Sequence, residues 1–217
     1  MTTAAARQTQ PGLEGRLERG LEELGIPLGP EAMTRLIDYL ALLQKWNRVY
    51  NLTAIQDVEK MVSVHLLDCL AVVPHLGNGR VLDVGSGAGL PGIPLAVAKS
   101  GVHVSLLESS HKKAAFLRQA VAELRLKNAD VICERVESWH PVEKFDWIVS
   151  RAFAGLAEFV ALTGHLLAPG GALAAMKGVY PFEEIERLPP GFRASQVHRL
   201  TVPGLESERH LVLIERA

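Results

Sequence analysis

Hydrophobic residues repeat at helical spacing through the first third of the chain. The first such face is carried by leucines three or four positions apart, namely Leu13, Leu17, Leu21 and Leu24. It stops at Gly25, which is typical of a helix end. Similar faces over about 30–46 and 57–73 predict two further helices. We therefore expect an N-terminal helical lobe over residues 13–78, preceded by a polar, disordered start over residues 1–12.

The period of the pattern changes after residue 79. Short apolar runs now alternate with helical stretches, and the predicted strands are 80–84, 102–108, 129–134, 145–150 and 170–177. The helices predicted between them are 91–99, 110–125 and 155–167. Such alternation indicates a parallel, doubly wound α/β sheet. Two final runs, 192–200 and 209–216, flank the turn residues Val202-Pro203-Gly204 and predict an antiparallel hairpin at the edge of a domain over 79–217.

The composition restricts the choice of partners and compartments. Basic and acidic residues nearly balance, 23 against 24 among 217, so a polyanionic partner must be held by a local basic patch. Cys69 and Cys133 share no metal-like spacing, and we expect reduced thiols and no bound metal. Residues 1–10 are polar and lack a secretory signal, and no apolar run approaches the ~20 residues that cross a bilayer. These features predict a soluble, cytoplasmic protein without a membrane partner.

The strongest chemical signal is a glycine-rich stretch after the first predicted strand. Asp83 closes that strand, and glycines then occupy every second position at Gly85, Gly87 and Gly89. Without Cβ atoms such a loop turns sharply and lets a ligand lie against its backbone. A nicotinamide-binding fingerprint would need glycine or alanine at Leu90. The pattern instead resembles the first motif of class I S-adenosylmethionine methyltransferases, with another nucleotide fold or a structural turn as the alternatives.

Ligands of doubly wound sheets bind beyond the carboxyl ends of the strands. The second strand ends at Glu108, whose carboxylate can accept two ribose hydroxyls, and the alternative is a solvated strand end beside Lys112 and Lys113. The third strand ends near residues 134–137, where backbone groups would meet an adenine. The fourth delivers Arg151, either as an ordinary surface residue or as a clamp on a carboxylate, a phosphate or a guanine edge.

Seven short motifs follow one another along the chain. They are Trp46-Asn47, Asn51-Leu52-Thr53, His65-Leu66-Leu67-Asp68, the glycine loop with Leu90-Pro91-Gly92, Ser150-Arg151-Ala152-Phe153, Met176-Lys177-Gly178 and Glu208-Arg209-His210-Leu211-Val212. Together they resemble the RsmG family, also called GidB or glucose-inhibited division protein B, of bacterial methyltransferases. The similarity runs from about residue 20 to the last residue. Cys69 departs from it, because the family usually has serine there, which puts a role for that hydroxyl in doubt.

The resemblance implies a fold and an activity. The fold is that of class I AdoMet-dependent methyltransferases, a Rossmann-like, mostly parallel α/β sheet with an antiparallel C-terminal strand, here with an added N-terminal helical lobe. The activity is transfer of a methyl group from S-adenosylmethionine to N7 of a guanosine in 16S ribosomal RNA. The acceptor is naked RNA, an assembly intermediate or the small ribosomal subunit, and we expect the protein to act as a monomer.

The family's cofactor positions carry over to Gly85, Leu90, Val136, Glu137 and Arg151, all of which lie in the loop or at the predicted rim. With the other loop and strand-end residues, the predicted cofactor-binding set is Asp83, Gly85, Ser86, Gly87, Gly89, Leu90, Glu108, Val136, Glu137 and Arg151.

Guanine N7 carries an in-plane lone pair and is unprotonated at neutral pH, so it attacks a sulfonium methyl group without a general base. The enzyme must then hold N7, the methyl carbon and sulfur in line. The candidate catalytic residues for this task are Asn51, His65, Arg151, Lys177 and Arg209. His65 and Asp68 lie three positions apart on one helix face and suggest a catalytic pair, and for His65, on a mostly apolar face, the alternative is a hydrogen-bonded core residue.

Further candidates would bind RNA. The possible stacking rings are Trp46, Tyr50 and Phe153, and the possible phosphate contacts are Lys45, Arg48, Arg118, Arg193 and Arg199. Core packing is the alternative for each ring, and a solvated face is the alternative for each cation. Two rival functions stay open, namely a methyltransferase of a small metabolite and a module that binds AdoMet or RNA without transfer. A nicotinamide dehydrogenase is disfavoured by Leu90.

Overall fold

The computed structural model describes residues 11–152 and 154–217 of the chain. The predicted disorder of residues 1–10 and the predicted stacking role of Phe153 lie outside these residues. The extension of that disorder to residue 12 is wrong, because the first helix, α1, already begins at Pro11 and runs to Leu24.

The N-terminal lobe consists of helical segments between Pro11 and His75, and the hydrophobic pattern predicts helices between residues 13 and 73. After α1 they are α2 (Pro30–Tyr50), α3 (Val58–Met61), a π-helical segment (Val62–Leu67), α4 (Asp68–Leu70) and a 3₁₀ turn (Val73–His75). Helix α2 continues past the predicted end at residue 46 and is closed by Asn51, which adopts the left-handed conformation at φ 50°. The helix predicted over 57–73 corresponds to continuous helical segments from Val58 to Leu70, of which the middle one is π-helical.

Seven strands form one sheet. Their bounds are β1 (Arg80–Val84), β2 (His103–Leu107), β3 (Ala129–Ile132), β4 (Phe145–Arg151), β5 (Leu167–Lys177), β6 (Phe192–Leu200) and β7 (Arg209–Arg216). The spatial order is β3-β2-β1-β4-β5-β7-β6. The five leading strands pair in parallel, whereas β7 is antiparallel to both β5 and β6. The predicted mixed sheet with antiparallel C-terminal strands is confirmed.

Four helices accompany the strands, and their bounds are α5 (Gly92–Ala98), α6 (His111–Glu123), α7 (Leu156–Thr163) and α8 (Phe182–Glu186). The first three lie within predicted helices, and α8 was not predicted. The order of the strands reverses between β1 and β4, so their carboxyl ends open a crevice there. The loop that follows β1 lies at this crevice.

One hydrophobic core joins the helical lobe to a face of the sheet. It contains Leu17 and Leu40 from the lobe together with Val104 and Leu213 from strands, and all four are buried. The ring of Phe116 on α6 continues this contact, because it lies 5.5 Å from the ring of Trp46 on α2. A second apolar cluster covers the opposite face of the sheet. The division into a lobe at 13–78 and a domain at 79–217 is therefore one of chain segments that share a core.

Within the part of the chain that the structure describes, no helix combines the length and the apolar character needed to span a membrane.

Candidate active site

The glycine loop after β1 forms the floor of the site. Gly85, Gly87 and Gly89 all have positive φ, at 67°, 56° and 86°. The amides of Gly85 and Ser86 donate to the carbonyl oxygen of Leu107 at 2.9 and 3.1 Å, which fastens the loop to β2. A Cβ atom on Gly87 would meet only the carbonyl oxygen of Gly85, at 3.7 Å, among the described atoms within 4 Å. The loop therefore presents bare backbone to open space at Gly87.

A cavity of about 510 Å³ opens above this loop. Seven of the predicted site residues line it, namely Gly85, Ser86, Gly87, Leu90, Arg151, Lys177 and Arg209. The helical lobe contributes Leu52 and Thr53 to the same wall. The cavity thus combines an uncharged floor with three cationic side chains, each from a different strand or strand end.

A smaller cavity of about 110 Å³ shares Gly85 with the first. Leu107 and Ser109 line one side of it, and residues 134–137 line the other. Val136 and Glu137, both predicted from the resemblance, therefore lie here and not in the main cavity. The two cavities share Gly85 and lie at the ends of β1, β2 and β4, and we call them together the groove.

Glu108 lies beneath the loop with both carboxylate oxygens hydrogen-bonded. Oε2 accepts from the Gly87 amide at 2.9 Å, and Oε1 accepts from the Ser110 amide at 2.8 Å. The residue is 6% exposed. The alternative of a solvated strand end is therefore wrong, since this carboxylate is buried against the loop that forms the floor.

Asp83 and Gly89 lie behind the loop and do not line either cavity. Asp83 is fully buried, and its Oδ2 accepts from the Gly92 amide at 3.0 Å. Its Oδ1 has no hydrogen-bond partner among the described residues, and burial raises the pKa of this carboxyl to about 7. A Cβ atom on Gly89 would collide with Ile93, so its absence allows α5 to pack beneath the loop. Both residues shape the loop from below.

Arg151 and Arg209 are joined by the carboxylate of Asp68. Oδ1 of Asp68 accepts from Nε of Arg209 at 2.9 Å, and Oδ2 accepts from Nη1 of Arg151 at 3.3 Å. Arg151 also donates to the carbonyl oxygen of Val64, in the π-helical segment, at 2.9 Å. Two guanidinium groups thus share one buried carboxylate, so this cluster of three residues carries one positive charge in excess.

His65 lies in the middle of the π-helical segment and is buried. Its Nε2 is 2.9 Å from Oγ1 of Thr53, which lines the cavity. Burial, together with the positive charge of Arg151, lowers the pKa of His65 to about 4. The imidazole is therefore neutral at pH 7 and holds Thr53, which corresponds to the hydrogen-bonded alternative given for it above.

Asn51 is not in the main cavity. It is the exposed C-cap of α2 and lines a separate polar cavity with Gln44, Asn47, Arg48 and Gln56. The left-handed backbone of Asn51 reverses the chain, and the next two residues, Leu52 and Thr53, reach the main cavity instead. Asn51 was predicted to be a catalytic residue, but its side chain lies in this separate cavity and not in the main one.

Lys177 is held at the cavity wall by Glu184 of α8. Its Nζ donates to Oε2 of Glu184 at 2.7 Å and to the carbonyl oxygen of Ala154 at 3.3 Å. The same Oε2 accepts from the Leu156 amide at 2.8 Å, at the start of α7. Partial burial acts to raise the pKa of Glu184, but the hydrogen bonds from Lys177 and Leu156 outweigh it and lower that pKa. Lys177 therefore has a fixed position beside the groove.

The candidate RNA contacts are spread over the surface. The ring of Trp46 is half-buried between those of Tyr50 and Phe116, which is the core alternative. Tyr50 is exposed at the end of α2, with Nζ of Lys112 5.4 Å from its ring centroid. Arg193 and Arg199 pair with Glu215 and Glu208, whereas Arg48 lines the polar cavity. Lys45 and Arg118 are exposed on α2 and α6.

Three polar contacts of the site were not predicted from the sequence, namely Asp68 with the two arginines, Thr53 with His65 and Glu184 with Lys177. Asp68 and Thr53 stand inside motifs quoted above, so only their roles were missed. Tyr180 and Phe182, two exposed rings in the segment that follows β5, were not singled out either, and the signal for them was two aromatic residues around Pro181. No group of three or more metal-ligating side chains occurs in residues 11–152 and 154–217.

Solved structures with similar folds define the class. A ribosomal protein L11 methylase from Lactobacillus delbrueckii subsp. bulgaricus superposes with a TM-score of 0.54 at 17% identity, over 69% of this chain and 76% of that chain. A SAM-dependent methyltransferase from Thiobacillus denitrificans, in complex with S-adenosyl-L-homocysteine, superposes with a TM-score of 0.53 at 12% identity. The superposition covers 81% of this chain and 97% of that chain. The sheet order and these likenesses together show the class I methyltransferase fold.

Sequence comparison identifies the family. The family model GidB, described as rRNA small subunit methyltransferase G, matches residues 32–212. The chain belongs to this family and is a methyltransferase. Relatives named ribosomal RNA small subunit methyltransferase G come from Aromatoleum aromaticum and Chromobacterium violaceum, each 57% identical. The aligned regions cover 92% and 90% of this chain and 97% and 94% of the relatives.

Proposed function

We propose that this protein transfers the methyl group of S-adenosylmethionine to N7 of a guanosine in 16S ribosomal RNA. The observation that carries the proposal is the groove floored by bare glycine backbone at Gly87 and edged by Arg151, Lys177 and Arg209. In a family of small-subunit rRNA methyltransferases, such a groove suits S-adenosylmethionine against the glycine loop and an anionic RNA acceptor beside the three cations.

The residues of the groove fit S-adenosylmethionine. The amino-acid end of the donor has room above residues 85–88, where a Cβ atom on Gly87 would intrude. We assign its ribose hydroxyls to Glu108, which lines neither cavity but is adjacent to Ser109 of the smaller one, because each of its carboxylate oxygens accepts one amide and retains a second lone pair. The adenine suits the smaller cavity beside Val136 and Glu137. When bound, the donor supplies a methyl group activated by a sulfonium.

The protein's own task is to bind and orient the purine. A nucleophile that is already unprotonated needs no general base, and neutral His65 with its low pKa does not have to act as one. The positive charge moves from the donor to the purine during transfer, so the total charge of the site does not change. We assign Arg151 and Arg209 to the O6 edge or a phosphate of the guanosine, which guanidinium donors bind well.

The cluster of Arg151, Arg209 and Asp68, with one positive charge in excess, supports an RNA acceptor over a small neutral metabolite. One carboxylate faces two guanidinium groups, and Lys177 adds a cation that is paired with Glu184. A phosphate backbone neutralises such charge and releases counterions on binding. We take the acting unit to be a monomer. We place it in the bacterial cytoplasm, where ribosomal RNA is made.

The direct test uses methyl-labelled S-adenosylmethionine with 16S ribosomal RNA that lacks its modifications, followed by nucleoside mass analysis. Parallel reactions contain naked RNA, assembly intermediates and intact small subunits, which separates the candidate acceptors. Labelled 7-methylguanosine is the expected product. Label on a different nucleoside would redirect the chemistry, and no label at saturating donor would favour a binding module.

A further inference from the structure

The segment after β5 exposes an unusual amount of apolar surface. Six large hydrophobic side chains are exposed in the part of the chain that the structure describes, and three of them lie between residues 179 and 182. Val179 is 72% exposed, Tyr180 is 39% exposed and Phe182 is 69% exposed. A contiguous exposed apolar patch marks a binding surface more often than a single exposed residue does.

The two rings of this patch are held in place. The ring centroids of Tyr180 and Phe182 are 4.2 Å apart, with an angle of 41° between the ring planes. Tyr180 also meets buried His210 edge-on at 5.5 Å, and Nδ1 of His210 is 2.8 Å from the carbonyl oxygen of Gly178. Phe182 begins α8, whose Glu184 is fastened to Lys177. The ring pair is thus anchored on both sides.

The ring pair continues the edge of the proposed active site. Lys177 and Gly178 line the main cavity, and Val179 and Tyr180 follow them directly along the chain. Two of the three carboxylates of α8 are paired, since Glu183 contacts Arg187 at 3.3 Å and Glu184 contacts Lys177 at 2.7 Å. The exposed rings therefore lie next in the chain to a cationic residue of the cavity wall.

We propose that Tyr180 and Phe182 form a stacking platform for an unpaired base of the RNA strand that carries the methylated guanosine. This inference rests on the proposed function. Single-stranded RNA is bound by stacking unpaired bases on aromatic rings next to a basic channel. The platform accepts any base, because every base has an aromatic face, and its contribution is to affinity for the strand.

The test measures KM for small-subunit RNA and the affinity for S-adenosylmethionine in Phe182→Ala, Tyr180→Ala, Phe182→Leu and Phe182→Trp proteins. Loss of a stacked base raises KM for RNA by about fivefold to a hundredfold, with KM changing more than kcat. We expect this for both alanine variants and for Phe182→Leu, whereas Phe182→Trp keeps the wild-type KM. Val142→Ala, which removes another exposed hydrophobic side chain, is the matched control and leaves both constants unchanged.

A second measurement identifies the stacked base. RNA substrates with a single abasic nucleotide beside the target guanosine are tested in turn. One abasic position is expected to raise the wild-type KM by the same factor as Phe182→Ala, and to have no further effect in that variant. This non-additivity separates stacking from a change in folding, which donor affinity and thermal unfolding of each variant report independently.

Four outcomes would overturn the inference. RNA methylation with unchanged KM in both alanine variants removes the platform and leaves the proposed function intact. Phe182→Leu matching wild type shows apolar packing without stacking. A concentration-dependent dimer that Phe182→Ala dissociates, without a change in KM, assigns the patch to a second copy of the chain. Absence of RNA methylation by wild-type protein defeats the proposed function itself and the platform with it.

Discussion

The carboxylate of Asp68 accepts a hydrogen bond from Nε of Arg209 across 2.9 Å, although the two residues are 141 positions apart in the chain. The other carboxylate oxygen is 3.3 Å from Arg151. Asp68 therefore connects the helical lobe to the ends of β4 and β7, and its side chain is almost completely shielded from solvent. A single carboxylate sets the relative position of the two guanidinium groups that edge the groove.

Substitution of Asp68 tests this arrangement. In Asp68→Ala the two cations lose their common acceptor, and we expect kcat/KM for RNA to fall about a hundredfold, since small misplacements of binding groups have effects of that size. The free energy of unfolding falls by about 3 kcal/mol, because breaking a buried pair leaves charge uncompensated. Methyl transfer and urea unfolding measure the two effects.

The control for Asp68 is Glu183→Ala. It removes an exposed carboxylate paired with Arg187 and is expected to change stability by less than about 0.5 kcal/mol. Asp68→Asn keeps one acceptor oxygen without the charge and should retain more stability than Asp68→Ala. A folded Asp68→Ala protein with wild-type kcat/KM would show that the shared carboxylate does not position the arginines.

Arg151 is expected to act in turnover. Arg151→Ala removes the donor that contacts both Asp68 and Val64, while Arg209 still pairs with Asp68, so the fold is retained. We expect kcat to fall about a hundredfold or more, with an intermediate loss in Arg151→Lys, because an ammonium lacks the planar fork of a guanidinium. Single-turnover transfer to small-subunit RNA measures this, and unchanged transfer in Arg151→Ala would remove Arg151 from the site.

Gly87→Val should abolish donor binding. The valine side chain would project into the space above the loop and would also be strained at φ 56°. Gly25→Val separates the two effects, because Gly25 has a similar φ of 67°, no described atom lies within 4 Å of its Cβ position, and it is remote from the groove. Equilibrium dialysis with S-adenosylmethionine should show binding lost in the first variant and kept in the second, although both lose stability. Normal donor affinity in folded Gly87→Val would contradict the proposed donor position.

His65 should contribute to the pH dependence of stability. Its pKa is lowered from 6.5 to about 4 in the folded protein, so between these values the unfolded chain binds more protons than the folded one. The free energy of unfolding must therefore rise with pH across this window, and His65's contribution is lost as the pH falls from 6.5 to about 4. A comparison of wild type with His65→Gln isolates the effect, which amounts to about 3 kcal/mol at most. Parallel stability curves for the two proteins over this range would refute it.

The sequence was a good guide to the sheet and to the loop. The strand predicted over 80–84 is β1 itself, because a buried parallel strand has a continuous apolar run that ends at the first turn residue. Glycine at positions 85 and 87 also permits the positive φ that the loop adopts there. These features are local, and a short stretch of chain determines them.

The parts of the site that were missed depend on distant or irregular geometry. Asp68 gains its role only when a π-helical turn, β4 and β7 meet, which no spacing in the sequence encodes. The placement of Asn51 was wrong because α2 extends one turn further than its apolar face indicates, and the left-handed cap then redirects the chain. Glu108 could not be separated from a solvated strand end until its two amide contacts were seen.

The hydroxyl of Tyr39 on α2 donates to the carbonyl oxygen of Ala88 in the glycine loop at 2.6 Å, and the tyrosine is entirely buried. A shortened protein that kept only the sheet and its flanking helices would lose this support directly under its donor loop. A chimera that carried only the C-terminal part of this chain would likewise have a glycine loop without the hydrogen bond from Tyr39. The lobe thus supports the loop to which we assign the donor, and it is also the source of Asp68.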